Sequence, residues 1–456
     1  MKEFDAIIIG SGQAGTALAF KLASEANEVA FIEKDKPGGT CVNNGCTPTK
    51  AYVASARRIW DARNGAQLGI NIPEGATADL KKIKNRKDKI VQESVDGITS
   101  GIKEEKNITF FKGEARFSGE KKIVVNDEEL TASEIYINTG ARPIIPEPFR
   151  NMNYLTNETI LQLEELPKHL IIVGGSYIGL EFGQMFRRFG SKVTIIEKAP
   201  SIINHEDSEI SKNILDFLQA EGIEFRLNAS CTEGVQNDDA SITLKLDCRE
   251  GNPTVTGTHL LIGVGRRPNT DTLNLEAGGI KTDDRGYINV NDYLETNIKG
   301  VFALGDCNGK GAFTHTSYND YEIVAANKLN GENRKVSDRI SAYNLYIDPP
   351  LGRAGMTRKE AMAEGYKLME AQIPMTQVTR ANEKGETRGM MHVIVNAENQ
   401  RILGAAILGV GGDEIISSIL QIMYADVPYT VLQQAVISHP TVSEWLPTLL
   451  GGLKEV

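Results

Sequence analysis

Cys41 and Cys46 stand five positions apart in Gly38-Gly39-Thr40-Cys41-Val42-Asn43-Asn44-Gly45-Cys46-Thr47-Pro48-Thr49-Lys50. A short turn containing glycine lets such a pair reach disulfide geometry. Pro48 suits the first turn of a helix, and the residues after it predict a helix through 51–61. A thiolate near a helix N-terminus is stabilised, which lowers its pKa and raises its nucleophilic fraction. Zinc is a competing chemistry, but a structural site takes four ligands and no second Cys/His pair stands at useful spacing. Taken bare, the pair also reads as two buried cysteines. A second reactive candidate is His439, in Ser438-His439-Pro440-Thr441-Val442-Ser443-Glu444. Alone, a histidine near the end of a chain reads as structural.

These side chains need a scaffold, and the sequence repeats one. Phe4-Asp5-Ala6-Ile7-Ile8-Ile9-Gly10-Ser11-Gly12-Gln13-Ala14-Gly15 leads into a helical stretch and then the strand Val29-Ala30-Phe31-Ile32-Glu33-Lys34. Leu170-Ile171-Ile172-Val173-Gly174-Gly175-Ser176-Tyr177-Ile178-Gly179 does the same before Val193-Thr194-Ile195-Ile196-Glu197-Lys198. From 10 to 33 and from 174 to 197 is the same 23 positions. Two strand–turn–helix–strand–Glu units predict two βαβ dinucleotide-binding domains. One glycine permits the turn, one lets backbone approach a pyrophosphate seated on the helix N-terminus, and one allows close helix–strand packing. The closing glutamate accepts hydrogen bonds from a ribose. The second copy carries Ser176 at the middle glycine position.

Composition sets the frame. The 456 residues predict about three domains. The formal charge of −10 disfavours a general nucleic-acid binder. No run of 18 apolar residues predicts a membrane span. The acidic start, Met1 to Asp5, before a short apolar run is unlike a secretory signal. Five cysteines is low for this length, so a soluble cytoplasmic protein is expected. The basic run 81–89 reads as a solvated helix face. The Pro-rich stretch 141–169 suits a linker, and Pro349-Pro350 marks another boundary. Beyond it, Met391–Val395 reads as strand and Asp413–Tyr424 as helix, within a separate α+β domain.

With the repeat in place, the cysteine motif resembles the redox disulfide of the class I pyridine nucleotide–disulfide oxidoreductases, the glutathione reductase, dihydrolipoamide dehydrogenase and mercuric reductase relatives. The resemblance spans essentially the whole chain. It includes Ile137-Asn138-Thr139-Gly140-Ala141-Arg142-Pro143, Leu261-Ile262-Gly263-Val264-Gly265-Arg266-Arg267-Pro268-Asn269, Val301-Phe302-Ala303-Leu304-Gly305-Asp306 and the C-terminal histidine motif. It implies an α/β fold with two Rossmann-like domains, for FAD and NAD, plus a C-terminal α+β dimerisation domain. The expected limits are 1–145 and 270–336 for the FAD domain, 146–269 for the NAD(P) domain and 337–456 for dimerisation.

The resemblance also assigns roles. Gly10, Gly12, Gly15 and Glu33 would hold the ADP half of FAD, and Asp306 the flavin chain, with Thr314 near the ring. Thr40, Ala115, Gly140 and Gly265 are expected among the cofactor contacts. Lys50 would stand near flavin N5, paired with Glu181. Gly174, Gly179 and Glu197 would bind the nicotinamide cofactor, and Glu197 favours NADH over NADPH because a carboxylate repels a 2′-phosphate. Tyr177 would gate the flavin ring. Electrons would pass from NADH through FAD to the Cys41–Cys46 disulfide, with Cys46 beside the flavin and Cys41 exchanging with the acceptor. His439 would be the base, held by Glu444, and would reach the active site of the other subunit of a homodimer. A cis His439-Pro440 peptide is expected. Cys231, Cys248 and Cys307 have no matching role, and no resident metal is expected.

The acceptor is left open as a disulfide, a metal ion or a related small molecule. The end of the chain, Leu449 to Val456, lacks the cysteine pair that mercuric reductases use for Hg²⁺, and no metal-binding domain precedes the first glycine turn. The phrase Gly311 to Tyr321 departs from dihydrolipoamide dehydrogenases and is closer to the mercuric-reductase-like group. Dihydrolipoamide dehydrogenase is the alternative within the class; a low-turnover redox-sensing flavoprotein is the alternative outside it.

Overall fold

A computed structural model describes residues 1–71, 75–248 and 251–456. The run Ala6 to Ile9 is buried throughout, as a parallel strand covered on both faces must be. It ends the strand Lys2–Ile9, which pairs in parallel with Val29–Glu33 on one side and Glu128–Ile137 on the other. Ile108–Lys112 extends this sheet at one edge. Much later in the chain, Val301–Ala303 returns to pair in parallel with Glu128–Ile137. The helix Gln13–Ser24 packs on the helix Thr314–Asn330, so sequence-distant segments close one unit.

The second unit is a parallel sheet in the order Glu224–Arg226, Lys192–Ile196, His169–Val173, His259–Ile262. An antiparallel ribbon of three strands, Ala229–Gln236, Ile242–Cys248 and Thr254–Gly257, leans on it. The Pro-rich stretch contributes the short strand Ala141–Pro143, paired with Arg266–Pro268. These two pieces flank the second unit where the chain enters and leaves it.

The third unit is an antiparallel sheet of six strands, starting with Ala342–Leu345 and Leu351–Gly355. Every residue of its strand Met390–Asn396 is buried. The helix Gly412–Tyr424 covers this sheet with Ile415, Ile416 and Ile419. His439-Pro440 is cis. Among the described residues, no helix is long and apolar enough to cross a membrane.

The basic run lies on the helix Leu80–Glu104. Lys81 and Lys84 reach Glu164, Lys82 pairs with Asp79, and Lys89 with Glu93. Lys87 is buried and paired with Asp88. Most of the run's charges are paired within the chain, while Arg86 donates to the Ala51 carbonyl at 3.0 Å.

Candidate active site

Each glycine turn leaves no room for a side chain where the chains cross. Gly10 has φ +101°, and a Cβ there would stand 2.3 Å from the Asn138 carbonyl oxygen. At Gly12 it would meet Asn138 Oδ1 at 2.7 Å, and at Gly15 the Gly10 oxygen at 2.1 Å. Asn138 knots this turn, accepting from Gly15 N at 2.9 Å and donating to the Leu304 carbonyl at 2.8 Å. The second turn repeats the geometry. A Cβ at Gly174 (φ +113°) would meet the Gly263 oxygen at 2.4 Å, and at Gly179 the Gly174 oxygen at 1.9 Å. Ser176 sits at φ −110°, which any residue adopts, so serine fits there without strain.

The two glutamates are held alike. Glu33 accepts from Ser11 N (2.9 Å), Ser11 Oγ (2.6 Å) and Asp35 N (2.7 Å). Glu197 accepts from Gly175 N (2.6 Å) and Ala199 N (2.8 Å). Both helices that follow, Gln13–Ser24 and Tyr177–Phe189, start with no side-chain cap and no acidic residue in the first turn. Their amide groups and dipoles face outward, as an anion requires.

The first unit fits a dinucleotide in a further respect. Thr139 Oγ1 and Arg266 Nε are buried without a hydrogen-bond partner among the described residues. Asp306 lies 3.6 Å from Arg266 Nε, and burial raises its pKa despite that charge. Gly140 has φ +68°, with open space where a Cβ would be. Polar groups left unsatisfied at the carboxyl ends of parallel strands match a ligand carrying phosphates and hydroxyls. Thr40 is exposed on the short helix Gly39–Asn43, Gly265 has φ +127°, and Ala115 is buried between strands of the first sheet.

Cys46 is the first residue of the helix Cys46–Asn64 and Cys41 lies in Gly39–Asn43; both are free thiols. Cys46 Sγ is 3.2 Å from Thr314 Oγ1. The hydrogen bond from Cys41 brings the Cys46 pKa down to about 6, aided by Thr314 and the Lys50 charge and opposed by burial and Glu181. The same contact raises Cys41 well above an ordinary thiol. The pair is therefore asymmetric, with a thiolate at Cys46 and a thiol at Cys41. One turn along the helix, Lys50 Nζ donates to both oxygens of Glu181, at 3.1 and 2.8 Å. Glu181 also accepts from the backbone of Tyr346 at 2.9 Å, and the Lys50 ammonium lies 4.5 Å from the centre of the Tyr346 ring.

Tyr177 heads the helix of the second unit. Its ring stands edge-on to Phe313 and to Tyr343, each at 5.6 Å. Burial holds its hydroxyl well above the ordinary tyrosine pKa. His205, Phe313, His315 and Tyr343 complete this aromatic wall, and sequence reasoning assigned none of them a role. The one signal was the unusual phrase 311–321, which contains Phe313 and His315.

His439 Nδ1 lies 2.8 Å from Glu444 Oε2. The histidine is 75% exposed, and no contact joins it to the cysteines within this one chain among the described residues. Tyr424, Val431 and Val436, in the same C-terminal unit, are exposed apolar side chains. Among the described residues, no group of three Cys, His, Asp or Glu could hold a metal ion.

The pattern of the family described as "Pyridine nucleotide-disulphide oxidoreductase" matches residues 4–320, and that of its dimerisation domain residues 341–450. The chain is 34% identical to the probable pyridine nucleotide-disulfide oxidoreductase RclA of Escherichia coli (strain K12), over 100% of both chains. It is 32% identical to a mercuric reductase of Staphylococcus aureus, over 92% of this chain and 77% of that one. The solved HOCl-induced flavoprotein disulfide reductase RclA from Escherichia coli superposes with a TM-score of 0.89 at 34% identity, covering 98% of this chain and 99% of that one. With its two glycine-turn units, its asymmetric cysteine pair and its dimerisation domain, the chain belongs to the class I pyridine nucleotide-disulfide oxidoreductases and is a flavin- and pyridine-nucleotide-dependent oxidoreductase.

Proposed function

We propose that this enzyme carries electrons from NADH through FAD and the Cys41–Cys46 pair to a disulfide, metal-ion or related acceptor. The observation that carries the reading is the placement of the pair: Cys46 heads the helix Cys46–Asn64, 3.2 Å from Thr314 and one turn before the Lys50–Glu181 pair, with Cys41 on the short helix before it. Gly10, Gly12, Gly15, Glu33 and Asp306 would hold the flavin, which would supply two-electron transfer between the nicotinamide and the Cys41–Cys46 disulfide. Lys50, fixed by Glu181, supplies positive charge at that junction.

Cys41 is the thiol that meets the acceptor. With a disulfide acceptor, its sulfur attacks one acceptor sulfur and the other leaves as a thiol. Cys46 then attacks Cys41, releasing the second thiol and closing the internal disulfide. Because the Cys41 pKa is raised, this exchange needs a base. His439 of the partner subunit fills that role, its ring oriented by Glu444. This makes the homodimer part of the active site, and the C-terminal unit carries exposed apolar side chains at Tyr424, Val431 and Val436. The units we infer are 1–145 with 270–336 for FAD, 146–269 for NAD(P), and 337–456 for dimerisation, in a cytoplasmic enzyme.

The test is an anaerobic titration with NADH and, separately, NADPH. A long-wavelength absorbance band from the Cys46 thiolate against the flavin should develop with NADH and fade below about pH 6. Cys46→Ser should abolish it; a band that survives refutes the cysteine assignment. Acceptors are then compared. The solved RclA also exists as a Cu(II) complex, so a copper ion belongs in that screen beside disulfides. Brisk oxidation of dihydrolipoamide with NAD⁺ would instead favour the dihydrolipoyl dehydrogenase relatives, which reach 31% identity. Flavin reduction with no acceptor turnover would point to a redox sensor.

A further inference from the structure

The loop before the helix Ser208–Ala220 holds a different group with each of three consecutive residues. His205 Nε2 is 2.5 Å from the Tyr177 hydroxyl. Glu206 accepts a hydrogen bond from the Tyr343 hydroxyl. Asp207 accepts from Arg353 Nη1 and from the backbone of Arg358, both at 2.9 Å. Arg353, only 2% exposed, also lies 3.4 Å from Glu206. Tyr343 and Arg353 are register partners on the antiparallel strands Ala342–Leu345 and Leu351–Gly355. Glu206 and Asp207 thus pin the loop to the C-terminal sheet, while His205, exposed at the surface, turns to Tyr177.

Phe313 and Tyr343 stack on each other at 5.6 Å and back the Tyr177 ring. They limit its inward travel. Swinging outward requires the hydroxyl to leave His205. We propose that His205 is a latch on Tyr177: a positioning residue, fixed through Glu206 and Asp207 to the C-terminal sheet, that keeps the nicotinamide face covered until a nicotinamide displaces the ring. This deepens the reading of Tyr177 as the gate and rests on it. A ligand that needs a minor open state binds more weakly in proportion to that state's population. A single net hydrogen bond shifts such a balance by a factor of about 2 to 12. Removing the latch should therefore tighten nicotinamide binding by about five-fold.

The test is titration of the flavin-loaded dimer with NAD⁺ and with NADP⁺, followed through the flavin absorbance, in H205A, H205Q, Y177F, the H205A/Y177F double variant and Y177A. His205 is exposed, so its substitution leaves the buried Glu206–Arg353–Asp207 contacts intact, which the thermal unfolding midpoint verifies. H205A and Y177F should each tighten binding of the preferred nucleotide about five-fold, and the double variant no further than either. H205Q, still able to bond the hydroxyl, should stay near the wild type. Wild-type affinity in H205A while Y177A shifts, or full additivity in the double variant, overturns the latch alone. Unchanged affinity for both nucleotides in Y177A overturns the gate reading and the latch with it.

Discussion

The two glycine turns are built to one plan and surrounded differently. Each carries a glycine at φ above +100°, an uncapped helix and a glutamate gripped by backbone amides. The first is tied down by Asn138, which bonds both the turn and the returning strand, and it faces unsatisfied polar groups at Thr139 and Arg266. The second has no such knot. Beside it stand Tyr177, the exposed His205 and a wall of rings supplied by the other two units. Under the proposed function, the first turn would keep its flavin and the second would exchange its nicotinamide.

That contrast is broken most directly at the glycines. An alanine at Gly10 or at Gly174 would place its Cβ 2.3 or 2.4 Å from a backbone oxygen. The strained φ adds about 1–3 kcal/mol at either site. Gly10→Ala should purify without bound flavin. Gly174→Ala should remain yellow yet lose at least about a hundred-fold in the rate of reduction by NADH, since 1.4 kcal/mol is a factor of ten. A colourless Gly174→Ala protein, or a yellow and active Gly10→Ala protein, would erase the distinction.

The next effect concerns how the second unit is anchored. Asp207 is buried, which works against its ionisation, but His392 at 3.6 Å and the hydrogen bond and charge of Arg353 outweigh this and hold its pKa at about 2, below the ordinary 3.8. Because the folded value is the lower one, the stabilisation is complete above about pH 4 and is lost as pH falls through about 2. The shift corresponds to about 2 kcal/mol. Asp207→Asn should lower the urea-unfolding free energy at pH 7 by about that much while flavin stays bound, and should flatten the loss of stability between pH 4 and 2. An unchanged acid limb would mean that Asp207 does not carry this contact.

How much of this could be read from the residues follows from distance along the chain. The glycine turns announce themselves because turn, helix and glutamate lie within one βαβ unit and recur with identical spacing. The cysteine pair is legible for the same local reason. Lys50 and Glu181 are 131 residues apart, and nothing in composition joins them; only the family pattern does. The latch was illegible. His205 lies 28 residues from Tyr177, and Tyr343 lies 137 residues from Glu206. Glu206 and Tyr343 meet only because the C-terminal sheet docks against the second unit, and no periodicity encodes that docking. Phe313 came closest, since it lies in a phrase that departs from a familiar pattern.

The smallest effect would sharpen the contrast at the glutamates themselves. Both carboxylates are held by amides, so replacing either with glutamine preserves shape and one acceptor oxygen while removing a charge. In the function proposed above, that charge at Glu197 would face the ribose of the nicotinamide cofactor and would disfavour a 2′-phosphate, and exposed Lys198 stands beside it. Glu197→Gln should shift the ratio of kcat/KM for NADH over NADPH toward NADPH by about ten-fold, equivalent to about 1.4 kcal/mol. The same exchange at Glu33, in the turn proposed to hold the flavin, should leave that ratio unchanged. If both substitutions move the ratio equally, the charge acts through the whole field of the protein rather than at one ribose, and the two turns are less specialised than their surroundings imply.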